Sequence, residues 1–67
     1  MEITLNDKKH TVSENISLNE IVFNQLGDKQ KGIAVAVNDS VIPRSNWETH
    51  LIKPNDSILI IKATQGG

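Results

Sequence analysis

A chain of 67 residues with a formal net charge of −1, no cysteine and only two aromatic side chains, Phe23 and Trp47, belongs to few functional classes. A domain of this length buries only about 60% of the surface its unfolded chain exposes, which leaves little room for a deep catalytic pocket. Seven Lys and Arg without a cluster argue against nucleic acid and anionic membranes, and the lack of cysteine excludes a disulfide framework, a thiolate metal site and a thiol nucleophile.

The N-terminal segment Met1-Glu2-Ile3-Thr4-Leu5 has neither the basic nor the apolar region of a secretion signal, and no apolar run approaches a membrane span. The chain therefore reads as cytoplasmic. Ile3 and Leu5 alternate with Glu2 and Thr4, the pattern of a half-buried strand. Asn6-Asp7-Lys8-Lys9 is a polar turn, and His10-Thr11-Val12 is the predicted return strand of a hairpin.

A helix follows. Ser17 and Glu20 have the spacing of a capping box, in which each side chain satisfies a backbone N–H of the first turn. Leu18, Ile21, Val22 and Leu26 then recur on one face, and Gly27 is the predicted left-handed residue that ends the helix. Phe23 lies off the centre of the stripe and reads as a flank of the core rather than a binding anchor. Asp28 to Lys31 form a charged loop.

Ile33-Ala34-Val35-Ala36-Val37 is an apolar run of strand length. Asn38-Asp39-Ser40 turns the chain into a short strand at Val41-Ile42, which Pro43 confines to a sheet edge because proline lacks a donor for the ladder. Ser45 to Glu48 read as one helical turn capped by Ser45, with Trp47 closing over the core. After the turn at Pro54-Asn55-Asp56, Ile58-Leu59-Ile60-Ile61 is the most apolar stretch of the chain. That composition predicts a central strand, parallel to the first and buried on much of both faces.

This order predicts an α+β fold of the β-grasp, ubiquitin-like kind: a mixed sheet of four to five strands with one main helix packed across it. Residues 1–63 form the domain, and 64–67, Thr64-Gln65-Gly66-Gly67, a flexible tail. Extended at roughly 3.3–3.6 Å per residue, four residues are long enough to enter a cleft.

Chemistry within the domain is sparse. His10 and His50 lie in different elements without metal-ligand spacing and read as surface residues. The serines occupy turns and caps, the carboxylates are scattered, and no glycine-rich loop precedes a helix to cradle phosphate. Neither a catalytic residue nor a metal site nor a bound cofactor is expected. The carboxylate of Gly67 is then the one candidate reactive group. Two specified positions are both glycine by chance about 0.5% of the time, although a frayed terminus or a cloning remnant also accounts for the dipeptide taken alone. A carboxylate is a poor electrophile, so an enzyme with its own activating chemistry must convert it. Glycine suits that role: no Cβ obstructs a nucleophile at the carbonyl carbon, and Gly66 opens backbone conformations needed to thread a narrow channel.

The run Gly32-Ile33-Ala34-Val35-Ala36-Val37-Asn38, then Val41-Ile42-Pro43-Arg44-Ser45 with Trp47, Asp56 with Ile58, and the final Gly66-Gly67 resembles the ThiS family of sulfur carriers in thiamine biosynthesis. The resemblance runs along the whole chain. It implies that an E1-like adenylyltransferase of the ThiF type uses ATP to adenylate Gly67. A sulfur donor relay then replaces AMP to leave a thiocarboxylate, and a thiazole synthase of the ThiG type takes the sulfur into the thiazole. On that footing Thr64, Gln65 and Gly66 enter the partner's active site, and the chain is a sulfur-donating co-substrate rather than an enzyme. One departure is Asn55-Asp56 where relatives have Gly-Asp; asparagine tolerates positive φ, so the turn should persist. By likeness to ubiquitin-type proteins, Ile58 and Ile60 lie under the helix while Leu59 and Ile61 face out as a partner-docking patch; the alternative is that both rows are core. Two further readings stay open: a MoaD-like carrier for molybdopterin synthesis, and a β-grasp interaction module without acyl chemistry.

Overall fold

Two consecutive residues at positive φ make the first reversal: Asn6 at 49° and Asp7 at 69°. Both central positions of a type I′ hairpin turn need that conformation, which asparagine and aspartate tolerate better than most residues. In the computed structural model, which describes residues 1–62, β1 (Glu2–Leu5) therefore pairs antiparallel with β2 (Lys8–Thr11), with Ile3 opposite His10. The return strand starts at Lys8, two residues before the predicted His10, because the turn consumes two residues rather than four. The reversal between Val37 and Ser40 repeats the device with Asn38 at 51° and Asp39 at 72°.

Helix α1 spans Leu18–Leu26, and its capping box is formed. The Glu20 N–H donates to Ser17 Oγ at 3.1 Å, and the Ser17 N–H donates to Glu20 Oε1 at 3.4 Å. Leu18, Ile21 and Val22 are buried, with Ile16 beside them before the cap. Gly27 ends the helix at φ 60° and ψ −126°, its N–H donating to Phe23 O at 2.7 Å. The positive φ is as expected, but ψ lies outside the left-handed helical region, in territory that glycine occupies without strain.

Strand β3 (Ile33–Val37) pairs antiparallel with β4 (Ser40–Val41) and with β5 (Ser57–Lys62), while β1 and β5 run parallel. The order is β2-β1-β5-β3-β4, a mixed five-stranded sheet with β5 at its centre and β4 at an edge. This is the β-grasp arrangement. Ile3, Leu5, Val35, Val37 and Ile58 project from the sheet into the core shared with α1.

The segment after β4 departs from expectation. A 3₁₀ turn covers Arg44–Asn46 and follows Pro43, with no side-chain cap. Ser45 lies inside this turn instead of capping a helical turn from 45 to 48, since Pro43 at φ −59° already presets the entry. Trp47 is buried in the core rather than closing over it; its Nε1–H donates to Ile42 O at 2.9 Å, and the Arg44 guanidinium lies 5.1 Å from its ring centroid. Ile52 is a core residue that periodicity did not single out. It is placed by backbone bonds from Leu18 N–H to His50 O and from Ile52 N–H to Ile16 O, which stitch residues 50–52 to the start of α1.

Candidate functional site

Parity along β5 divides its apolar run between two environments. Ile58 pairs with Leu5 and Val37 and is buried under α1, with Ile60 half-buried beyond it. Leu59 and Ile61 point to the opposite face and are 44% and 48% exposed. The expected burial of β5 on both faces is therefore corrected. One helix covers one side of the sheet, and among the described residues no layer covers the other. The alternative that both rows are core falls with it.

The register builds a patch around the two predicted docking residues. Leu59 pairs with Ala36 and Ile61 with Ala34, and Ala36 pairs in turn with Val41, which is 71% exposed. Paired residues share a face, so these five side chains form a continuous apolar area over β4, β3 and β5. Across β1 and β2 the same face turns polar, with Thr4 opposite Lys9 and Glu2 opposite Thr11. Sequence reasoning missed Val41, Ala34 and Ala36. The signal was present in the alternation of small Ala with branched Ile and Val along β3, which marks one open and one packed face.

Strand β5 carries this patch toward the C-terminus. Thr64, Gln65, Gly66 and Gly67, the predicted tail and its reactive carboxylate, lie outside the described residues, as does Ala63. What the structure places is the strand leading to them. Its β3 side is paired as far as Lys62, opposite Ile33. On its β1 side the backbone ladder ends when β1 turns away, and the Ile60 N–H donates to Asn6 Oδ1 at 2.8 Å.

The start of β5 is held from two turns. Asp56 accepts from the Lys53 N–H at 2.8 Å and from Asn38 Nδ2 at 3.0 Å, while Asn38 Oδ1 accepts from the Ser57 N–H at 2.9 Å. Asn55 sits at φ 68°, so asparagine does supply the positive φ for which glycine is the usual choice.

The remaining chemistry-bearing residues stay apart. His10 lies in the β2 edge strand and His50 beside the start of α1, both half-buried. Among the described residues no three His, Cys, Asp or Glu side chains converge as metal ligands. Phe23 is 54% exposed on the outer surface of α1, a correction to its reading as a flank of the core. The buried stripe of Leu18, Ile21 and Val22 consumes the face of a single-layer helix, and Phe23 falls beyond it.

Fold and site together define a small β-grasp protein whose open apolar face follows the strand running toward its C-terminus. The sequence model of the ThiS family matches residues 1–67. The sulfur carrier protein ThiS of Escherichia coli (strain K12) is 31% identical over 67 residues, covering 100% of both chains. This chain belongs to the ThiS family. The crystal structure of a thiamine biosynthesis protein (ThiS) from Geobacter metallireducens has the same fold, with a TM-score of 0.86 at 23% identity and 100% of both chains covered. The solution structure of a thiamine biosynthesis protein from the same organism gives 0.79 at 23% identity, covering 100% of this chain and 88% of that one.

Proposed function

We propose that this protein is a cytoplasmic sulfur carrier for synthesis of the thiazole moiety of thiamine. The observation that carries this reading is the family match through residue 67, which aligns Gly66-Gly67 with the end of a named sulfur carrier. The carboxylate of Gly67 attacks the α-phosphate of ATP in an E1-like enzyme of the ThiF type, forming an acyl adenylate and releasing pyrophosphate. The terminal sulfur of a persulfide-bearing donor relay then attacks the carbonyl carbon and AMP leaves; a second thiol of the relay cleaves the resulting acyl disulfide, taking the donor sulfur into a disulfide and leaving the thiocarboxylate. A thiazole synthase of the ThiG type takes up that sulfur. ATP is bound by the activating partner, and this chain brings no cofactor.

Glycine is suited to both ends of the cycle. The missing Cβ at Gly67 leaves its carbonyl carbon open to nucleophiles, and Gly66 admits conformations closed to other residues. The patch of Leu59, Ile61 and their neighbours supplies docking area beside the strand that leads to the tail, an exposed apolar surface of the kind that marks interaction sites.

The test is intact mass after incubation with an E1-like enzyme, ATP and a sulfur source. The expected gain equals the mass difference between sulfur and oxygen. An unchanged mass with a partner of demonstrated activity overturns the reading. Deletion of Gly67 abolishes the gain while far-UV circular dichroism stays that of the folded chain.

A further inference from the structure

Among the described residues, the side-chain hydrogen bond of longest sequence separation joins Asn6 to Ile60, 54 positions apart. We infer that Asn6 is a positioning residue for the carrier reaction: its amide oxygen holds the last part of β5 in the sheet, so that the reactive tail leaves from a fixed base. The inference rests on the sulfur-carrier reading above.

Strand β1 accompanies β5 only through Thr4 opposite Ser57 and Leu5 opposite Ile58. The Asn6 N–H still donates to Ile58 O at 2.9 Å, and then the chain departs into the hairpin turn. Asn6 Oδ1 replaces the missing backbone acceptor for Ile60, adding one rung to the ladder. Beyond Ile58 the strand is thinly held. Leu59, Ile61 and Lys62 are exposed and Ile60 is half-buried, so backbone pairing to β3 does most of the holding.

Two demands meet at residue 6. The turn requires positive φ, observed at 49°, and β5 requires an acceptor on that side. Glycine meets the first demand but not the second, and most other residues fail the first. The Asn6→Gly variant therefore removes the acceptor without straining the turn. Asn6→Asp keeps an oxygen in place and tolerates the same backbone.

An ordered base lowers the entropy lost when the activating enzyme captures the tail. Loss of one neutral hydrogen bond corresponds to about a two- to tenfold change in the local opening equilibrium. Asn6→Gly is expected to speed amide exchange at Ile60 to Lys62 by that factor. It should raise KM for the carrier in adenylation a few-fold with kcat unchanged, and Asn6→Asp should restore both. The exchange is measured by NMR on the free protein and the kinetics with the E1-like partner, at a temperature where every variant is fully folded. Exchange and KM at wild-type values in Asn6→Gly overturn the inference, as does faster exchange with unchanged KM, or failure of Asn6→Asp to rescue. If the wild-type chain is not modified by a competent partner, the carrier reading fails instead, and the exchange arm still decides whether Asn6 holds β5.

Discussion

Asn38 and Asp56, 18 residues apart, are joined side chain to side chain at 3.0 Å, and each also caps a backbone N–H of the other's region or its own turn. The pair ties the β3–β4 reversal to the turn before β5 and so sets where the central strand begins. Asp56→Ala removes two accepted hydrogen bonds and should lower stability by about 1–3 kcal/mol. In a cycle with Asn38→Ala the double variant should lose less than the sum of the single losses, by about 0.5–1.5 kcal/mol. Urea unfolding midpoints of the four proteins check this; strict additivity would show that the two residues act independently.

The start of α1 rests on Ser17. Its hydroxyl accepts the Glu20 N–H, and its backbone forms an isolated bridge with Leu51. Ser17→Ala should cost about 1 kcal/mol through loss of the cap alone, leaving the bridge and the sheet in place. A stability change within error in urea unfolding, with Glu20 N–H exchange unaltered, would contradict that role for the hydroxyl.

The open face gives the sharpest separation of function from stability. Leu59→Thr with Ile61→Thr places β-branched strand formers at both exposed positions, so stability should shift by less than about 1 kcal/mol. Docking to the activating enzyme should weaken about tenfold or more if these side chains form the centre of the interface. Titration calorimetry with the partner reads the affinity. Wild-type affinity in the double variant would move the docking surface elsewhere. Phe23→Ser, on the far side of the molecule, serves as the control for loss of exposed apolar area in general.

Much of the architecture was legible because local chemistry and global fold agree. The capping box of Ser17 and Glu20 announced the helix start, Pro43 marked a short edge strand before it, found at Ser40–Val41 one residue ahead of the expected Val41-Ile42, and the apolar density of residues 58–61 placed the last strand at the sheet centre beside the first. The misreadings have a common cause. The turn at Asn6-Asp7 reads as four polar residues until φ is known, and Ser45 looks like a cap until Pro43 is seen to preset the entry. Ile52 sits in a stretch without periodicity and becomes core only because residues 50–52 bond back to Ile16 and Leu18.

Element order and the central place of β5 follow from the chain's own pattern of residues. The proposal that Gly67 carries the reactive carboxylate likewise starts from the sequence, because these readings depend on composition and on spacing along the chain. Which apolar residues stay exposed depends instead on the packing of helix and sheet. A run such as Ile58-Leu59-Ile60-Ile61 is uniformly hydrophobic, and its division into a buried row and an exposed row depends on a single helix covering one face of the sheet. The same holds for Asn6, whose bond to Ile60 exists only because β1 and β5 are neighbours in a parallel pair that links the two ends of the chain.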